Sequence, residues 1–175
     1  MKEIPLSRGL KALVDDEDYA QLSAGNWFAS DGKRGFYAMR SVCINSRYKS
    51  IPMHRLLVDI PIGMQVDHIN HNTLDNRKCN LRVCTIIQNQ ANSRRHKQNT
   101  SGFKGVCREG NGWRAQIHST GQQIYLGHFA APEAAARAYD QAALKQWGEF
   151  AYLNFPPSTG KLWEPKQPIT RCNID

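Results

Sequence analysis

The sequence lacks the features that would place the protein in or across a membrane. A membrane span needs about 20 consecutive apolar residues, and no apolar run approaches that length. The first residues, Met1 to Pro5, lack the apolar stretch of a secretory signal. We therefore expect a cytoplasmic protein with no membrane partner.

Paired cysteine motifs are absent and acidic residues are in the minority. The five cysteines include no C-x-x-C pair, so the sequence indicates neither a disulfide framework nor a zinc knuckle. There are 15 acidic residues against 23 Lys and Arg, which gives a net charge of +8. This excess of positive charge favours a polyanionic partner, and nucleic acid is the leading candidate.

The 175 residues correspond to one domain or two small ones. Composition and turn signals predict five segments: a β-rich region over 1–52, a polar core over 53–93, a basic linker over 94–102, a second domain over 103–156 and a mobile tail over 157–175. In the first segment we predict a helix from Glu17 to Ser23 with Asp16 as its N-cap. The acidic residues at 15–18 favour a solvated first turn over a metal site.

The polar core concentrates carboxylate, amide and imidazole groups between two short strands. Alternation predicts a strand at 81–84, with Leu81 and Val83 inward and Arg82 outward. Thr85 and Gln88 have the spacing of a capping box, which predicts a helix from Ile86 to about Ser93. The predicted order is strand, loop, strand, helix, and Asn89 on the helix can face back toward the first strand.

This arrangement suits metal-assisted cleavage of a phosphodiester bond. Asp67 and Asn89 offer two hard oxygen ligands of the kind Mg²⁺ prefers, and His68 can accept the proton of water. Asn80 could fix the loop by hydrogen bonding. Three basic residues could hold flanking phosphates, namely Arg77, Lys78 and Arg82. The alternative is that the cluster only provides turn chemistry, since these side chains also bind local backbone.

Five motifs follow one another over about residues 50–93, namely His54-Arg55-Leu56-Leu57, Val66-Asp67-His68-Ile69-Asn70, Asp75-Asn76, Asn80-Leu81-Arg82 and Gln88-Asn89. This ordered set resembles the HNH endonuclease family, specifically its phage-type homing endonucleases with a ββα-metal core. The resemblance implies that His68 is the general base, Asp67 and Asn89 are metal ligands and Asn80 is a structural residue that orients the site. The family often has His where Asn89 stands, and an amide oxygen there favours Mg²⁺ or Mn²⁺ over Zn²⁺.

Two further histidines of this segment are open to more than one interpretation. His71 stands where the family more often has a small residue, and we favour a role in the turn over a role in the chemistry. His54 belongs to the His-Arg-Leu motif, and we interpret it as structural support.

The segment after the linker has the alternation of an antiparallel sheet. Trp113, Ala115 and Ile117 alternate with polar residues, Asn111-Gly112 predicts a hairpin turn, and further strands are expected near 103–108 and 123–127. A helix should begin at Pro132 and stop at Gly148. The open face of the sheet is predicted to carry Lys104, Arg108, Arg114, Gln116 and His118. That face could read the major groove of DNA, or it could simply be solvated.

Five stretches of residues 101–156 form a second recognisable pattern, namely Gly102 to Val106, Trp113 to Ile117, Tyr125 to Phe129, Glu133 to Asp140 and Leu153 to Phe155. Together they resemble the plant ethylene-response-factor (apetala-type) DNA-binding domain. By position, the resemblance implies DNA contacts at Lys104, Gln116, His118 and Tyr125. Two family arginines are replaced by Cys107 and Glu109, so the family's target sequence is not transferable. We expect Arg108 and Arg114 to compensate.

Together these patterns predict an α+β fold: a ββα-metal core preceded by a small β-rich region and followed by a three-stranded antiparallel sheet packed on one helix. The expected function is a Mg²⁺- or Mn²⁺-dependent homing endonuclease from a phage or bacterial host. It would nick double-stranded DNA as a monomer and take no small-molecule substrate. The alternative is a non-catalytic, sequence-specific DNA-binding regulator.

Overall fold

The computed structural model describes residues 1–32, 34–96, 98–119 and 121–156, and the chain forms two compact units. The first unit is Met1–Ile86, and the second begins at Ile87. The α+β class with small antiparallel sheets is confirmed. The break between units precedes the predicted end of the polar core at 93, and the predicted tail lies outside the described residues. None of the described helices is long and apolar enough to cross a membrane.

The first unit is built from three small antiparallel sheets and one helix. Its sheets are β1-β2, β3-β4-β5 and β6-β7, and α1 spans Asp16–Ser23. The strands are β1 (Lys2–Pro5), β2 (Lys11–Val14), β3 (Phe28–Gly32), β4 (Gly35–Ile44), β5 (Arg47–Pro52), β6 (Gln65–His68) and β7 (Leu81–Cys84). A shared core of apolar side chains includes Ile4, Val14, Leu22, Trp27 and Met53. Burial of these side chains stabilises the unit through the hydrophobic effect.

The start of α1 corrects two predictions from the sequence. The helix begins at Asp16, so the N-cap residue is Asp15, and its side chain makes no capping hydrogen bond. The acidic turn is not simply solvated, because it binds Lys78. The Lys78 backbone N–H donates to Asp15 Oδ2 at 2.7 Å, and its ammonium donates to Glu17 at 2.6 Å and Asp18 at 3.0 Å. These contacts tie the first helix to the polar loop that precedes β7.

The strand β2 also pairs with that polar loop. Leu13 forms a parallel bridge with Asp75. Its N–H donates to the Leu74 carbonyl at 2.8 Å, and its own carbonyl accepts from the Asn76 N–H at 2.8 Å. The N-terminal hairpin therefore helps to fix the loop between β6 and β7 and belongs to the same compact unit.

The second unit contains the predicted three-stranded antiparallel sheet with a long helix. The strand order is β10-β9-β8, with β8 at Val106–Glu109, β9 at Gly112–Ser119 and β10 at Gln122–Phe129. The helix α3 spans Pro132–Trp147 and ends at Gly148, which has a φ of 52°. This confirms the predicted proline start and glycine stop. The short helix α2 (Ile86–Ala91) crosses the boundary between the units.

Small residues let α3 lie close to the sheet. Ala135, Ala136 and Ala143 are fully buried, and Tyr139 packs among them with 3% of its surface exposed. The Tyr139 ring reaches the backbone of Gly105, whose carbonyl accepts a hydrogen bond from the Gln116 N–H at 2.8 Å. The hairpin turn between β8 and β9 is formed by Gly110 and Asn111, because Glu109 pairs with Gly112. The predicted turn was therefore one residue too late.

Replacing Gly105 with alanine should destabilise the protein by about 2 to 4 kcal/mol. A Cβ there would clash with the Tyr139 ring and lie 2.7 Å from the Gln116 carbonyl oxygen, and the residue has a φ of +75°. The measurement is urea unfolding of the variant and the wild type. Gly102→Ala is the matched control, because Gly102 has a φ of +82° with nothing within 4 Å. Equal losses in the two variants would rule out the close packing as the cause.

Candidate functional site

His68 ends β6 and is surrounded by aromatic rings. Only 6% of its surface is exposed. The His54 ring lies edge-on at a centroid distance of 5.1 Å, and the Tyr37 ring lies at 6.2 Å. Tyr37 and His54 also contact each other, with centroids 6.0 Å apart. The imidazole is thus held in a defined orientation by two rings from other parts of the unit.

Burial keeps both imidazoles neutral at neutral pH. Burial lowers the pKa of His68, whereas a hydrogen bond with the Asn76 side chain and the charges of Asp67 and Asp75 act in the opposite direction. Burial, assisted by the nearby His68 and Arg55, lowers the pKa of His54 to about 3. A neutral imidazole is the form that can accept a proton.

The neighbouring carboxylate of Asp67 is held by Arg82. The two residues are cross-strand partners in the β6-β7 hairpin. Arg82 donates from Nε at 3.0 Å and from Nη2 at 2.8 Å to Asp67 Oδ2. The side chains are only 2% and 9% exposed for Asp67 and Arg82, so the prediction that Arg82 points outward is wrong. The face of the hairpin that it shares with Asp67 is covered, and the guanidinium holds the carboxylate in place through two charge-assisted hydrogen bonds.

The loop after His68 is braced by a second buried carboxylate. Asp75, which is 2% exposed, accepts hydrogen bonds from Asn70 Nδ2 at 2.8 Å and from Arg77 Nε and Nη2 at 2.8 and 2.7 Å. Burial by itself would raise the pKa of Asp75, but the hydrogen bonds and charge of Arg77 lower it. Arg77 and Lys78, predicted from sequence to hold phosphates, are therefore both engaged with acidic groups of the protein.

Asn80 joins the two sides of this loop. Its Nδ2 donates to the Asp75 carbonyl at 2.7 Å, and its Oδ1 accepts from the Asn70 N–H at 2.9 Å. The backbone carbonyl of Asn80 also accepts from the Ile69 N–H at 2.9 Å. Its side chain is buried, so these bonds are not exchanged with water. His71 lies in the turn itself, with a φ of 62° and an N–H that donates to the His68 carbonyl at 3.0 Å.

The donor chemistry of Asp67 fits a hard divalent cation. A charged carboxylate oxygen beside a neutral imidazole suits Mg²⁺, which usually keeps several waters and takes only one or two protein carboxylates. The described residues contain no group of three or more His, Cys, Asp or Glu that could hold a metal. Asn89 lies on α2, beyond the boundary of the first unit. Its assignment as a second ligand stays a prediction.

In the second unit, one face of the sheet is not covered by α3. The register places Arg114 opposite Cys107, Gln116 opposite Tyr125 and His118 opposite Gln123, all with side chains on this open face. Tyr125 is 60% exposed. The Gln123 amide donates to Gln116 Oε1, and Arg114 forms an ion pair with Glu109 at 3.0 Å. The face thus offers both donors and acceptors.

One residue predicted for that face lies elsewhere, and another has main-chain partners. Arg108 is two residues from the buried Val106, so strand alternation places it on the helix side, where its guanidinium lies 5.4 Å from the centroid of the Trp113 ring. Assigning Arg108 to the open face was therefore wrong. Lys104 precedes β8, and its ammonium donates to the carbonyls of Ala91 at 2.6 Å and Ser93 at 2.7 Å.

Sequence reasoning also missed two residues that shape the site. Asp75 was noticed only as part of a motif, although its position between Asn70 and Arg77 makes it the centre of the loop. Tyr37 comes from β4, about thirty residues before His68, and no local pattern links the two. Only a family motif that included this tyrosine could have identified it.

Comparison with known proteins supports the resemblance to HNH endonucleases. Residues 59–91 match a family model described as HNH endonuclease. The chain is 30% identical over 150 residues to an uncharacterized HNH endonuclease of Acanthamoeba polyphaga mimivirus, covering 84% of this chain and 76% of the viral protein. No solved structure matches the chain.

A part of the chain is similar to plant transcription factors. An AP2-like ethylene-responsive transcription factor of Arabidopsis thaliana is 42% identical over 71 residues, which cover 34% of this chain and 23% of the plant protein. An AP2/ERF and B3 domain-containing protein of Oryza sativa subsp. japonica is 50% identical over 68 residues, covering 38% and 19%. The chain therefore spans only about a fifth of these plant relatives. Both resemblances inferred from sequence motifs are confirmed.

The buried His54 makes stability depend on pH. Its pKa is about 3 in the folded protein, against an ordinary value of 6.5 for a histidine side chain, so between these values the unfolded chain binds more protons and stability falls as pH falls. His54→Phe keeps a ring but removes the titration, and should flatten the decline by up to about 1.4 kcal/mol per pH unit. Urea unfolding at several pH values measures this. His96→Gln, which removes an exposed imidazole, is the control for loss of a histidine; an unchanged slope for His54→Phe would contradict the prediction.

Proposed function

Because the chain belongs to the HNH endonuclease family, we propose that it is a metal-dependent endonuclease that hydrolyses a phosphodiester bond in double-stranded DNA. The observation that carries this proposal is the buried pair of Asp67 and His68 at the end of β6, with Arg82 on the carboxylate and two aromatic rings around the imidazole. Such a pair places a proton acceptor next to a charged oxygen ligand, which is what metal-assisted hydrolysis needs.

His68 acts as the general base in this proposal. Its imidazole, neutral at pH 7, accepts a proton from the attacking water. The rings of Tyr37 and His54 hold the imidazole in one orientation. Burial of the ring also limits bulk water around it, so that the proton comes from a positioned water molecule.

Asp67 and Asn89 would hold Mg²⁺ or Mn²⁺. The ion supplies charge stabilisation for the phosphate and the leaving oxygen. Arg82 fixes the position of the Asp67 carboxylate, so its proposed role changes from a phosphate contact to a positioning residue. β6, β7 and α2 follow one another along the chain in the order of a ββα core, and we assign them that role.

Asn80 is proposed to orient the loop next to the base rather than to touch the substrate. Its side chain bonds both Asn70 and Asp75, so the segment that follows His68 has one conformation. Arg77 supports the same loop through Asp75. Loss of either residue should act through the position of His68.

The second unit is proposed to hold the duplex through the open face of its sheet. A sheet can enter the major groove, where Arg pairs with guanine and Gln with adenine. Arg114, Gln116, His118 and Tyr125 are the proposed contacts, since the register places them on that face. One HNH centre acts on one strand, so a monomer should nick. The mimivirus relative and the plant factors support nuclease and DNA-binding roles by their names alone.

Replacing the proposed base should stop cleavage and leave binding intact. His68→Ala removes the proton acceptor, so nicking of a supercoiled plasmid with Mg²⁺ should fall by about 100-fold or more, while the affinity for duplex DNA measured without divalent ions stays unchanged. His71→Asn is the matched control, because asparagine tolerates the positive φ of that turn. Equal nicking by His68→Ala and the wild type would refute the assignment. Binding without any nicking by the wild type would leave a DNA-binding regulator.

Removing the Arg114 guanidinium should weaken binding to a selected target site by about 1 to 3 kcal/mol if it contacts a base. The site is first obtained by selection from random duplexes, and affinities are then measured by fluorescence anisotropy. Arg108→Ala should cost less, because Arg108 lies beside Trp113 on the helix side. Equal losses at the two positions would show that the open face is not the reading face.

A further inference from the structure

The strand β4 extends beyond the end of its pairing with β3. β3 pairs with β4 only from Gly35 to Met39. From Arg40 to Ile44, the described partner of β4 is β5, which runs back from Arg47 to Ile51. Residues 40–51 therefore form a two-stranded projection, which we call the β4–β5 ribbon.

The ribbon is closed by a turn that suits its twist. Ile44 pairs with Arg47, so the two central residues are Asn45 and Ser46, with φ values of 51° and 60°. Two consecutive positive φ values are the signature of a type I′ turn, whose geometry matches the right-handed twist of paired strands. The ribbon is thus a regular hairpin up to its tip and not a loop that happens to extend.

The surface of the ribbon is exposed and positively charged. Every residue from Ser41 to Ser50 is exposed except Val42, which is half-buried, and Tyr48 reaches 81% exposure. The sequence from Gly35 to Val58 contains no acidic residue. Within the described parts of the chain, the side chains of Arg47 and Lys49 form no ion pair.

The register between β4 and β5 places the positively charged side chains of the ribbon on one face. Arg40 pairs with Ile51, Lys49 with Val42 and Arg47 with Ile44. Because paired residues share a face and alternate residues along a strand share a face, Arg40, Arg47 and Lys49 all lie on the same side. Arg40, at the base, also lies 5.5 Å from the Trp27 ring centroid. The outer two cations have no such ring contact among the described residues and are the ones offered to solvent.

We propose that the β4–β5 ribbon is a second DNA-binding element, which enters a groove of the duplex and contacts phosphates through Arg47 and Lys49. Paired strands lie about 4.8 Å apart, and the major groove, about 12 Å wide, admits a two-stranded ribbon. The proposal rests on the proposed function, because the same strand carries Tyr37, whose ring packs against His68. At about 3.3 Å per residue, the tip lies about 23 Å along the strand from Tyr37, less than one turn of duplex.

Exposed cations on a strand can also serve a role other than DNA binding, and the experiment must distinguish the two roles. Lysine and arginine on an unpaired strand edge discourage pairing with other chains. If that were their only role, removing them would lower solubility and leave the affinity for DNA unchanged. The salt dependence of binding distinguishes the two, since each lost phosphate contact lowers the slope of log affinity against log salt concentration by about 1.

The experiment measures binding of the full chain to a mixed-sequence duplex, without divalent ions, over a range of salt concentrations. Phosphate contacts are independent of sequence, so the natural target is not needed. The double variant Arg47→Gln with Lys49→Gln should lower the salt slope by about 2. The double variant Lys2→Gln with Lys145→Gln removes the same charge outside the ribbon and should keep the wild-type slope. Thermal melting of both variants confirms that they are folded.

Equal slopes for the two double variants and the wild type would overturn the proposal, and so would equal reductions in both variants. Lower solubility of the ribbon variant with an unchanged slope would do the same and assign the cations to edge protection. Because cleavage is measured separately with Mg²⁺, the two proposals fail independently. A wild type that does not nick but shows the ribbon effect refutes only the nuclease assignment.

Discussion

The first unit depends on the hydrogen bonds and the ion pair that the buried carboxylate of Asp75 makes. A charge taken out of water must be compensated by partners, and Asp75 obtains them from Arg77 and Asn70. Its backbone carbonyl accepts from Asn80, and its backbone pairs with β2 through Leu13. These contacts hold the polar loop next to His68 in one conformation. The N-terminal hairpin contributes by pairing with this loop through Leu13.

The sequence predicts the regular elements well where a local pattern is sufficient. Strand alternation and the proline and glycine signals of α3 are local, and the structure follows them. The hairpin turn was misplaced by one residue, because both Gly110 and Gly112 flank Asn111 and only the strand pairing chooses between them. The boundary between the two units within α2 could not be predicted, because it is set by long-range packing and leaves no mark in composition.

In the candidate site, too, residues that belong to a local motif could be predicted, whereas contacts between distant parts of the chain could not. Family motifs identified Asp67, His68 and Asn80, and the structure buries all three in one unit. The partners of these residues were harder to predict. Arg82 was expected to face solvent because alternation gives the side of a strand but not whether that side is covered. In the second unit, Lys104 was expected on the sheet face, but the acceptors of its ammonium are carbonyls at 91 and 93 that no periodicity reveals.

The net positive charge of the chain does not by itself indicate where DNA binds, because some of the basic side chains form ion pairs within the protein. Arg77, Lys78 and Arg82 each bind carboxylates of the first unit, so their charges are already compensated within that unit. The β4–β5 ribbon carries cations without ion pairs among the described residues in a stretch that lacks acids, and the face of β9 adds one arginine paired with Glu109. Because the Arg114–Glu109 pair is exposed, it is weak and exchangeable. It can open when a base or phosphate competes for the guanidinium, so it selects among ligands without blocking the face.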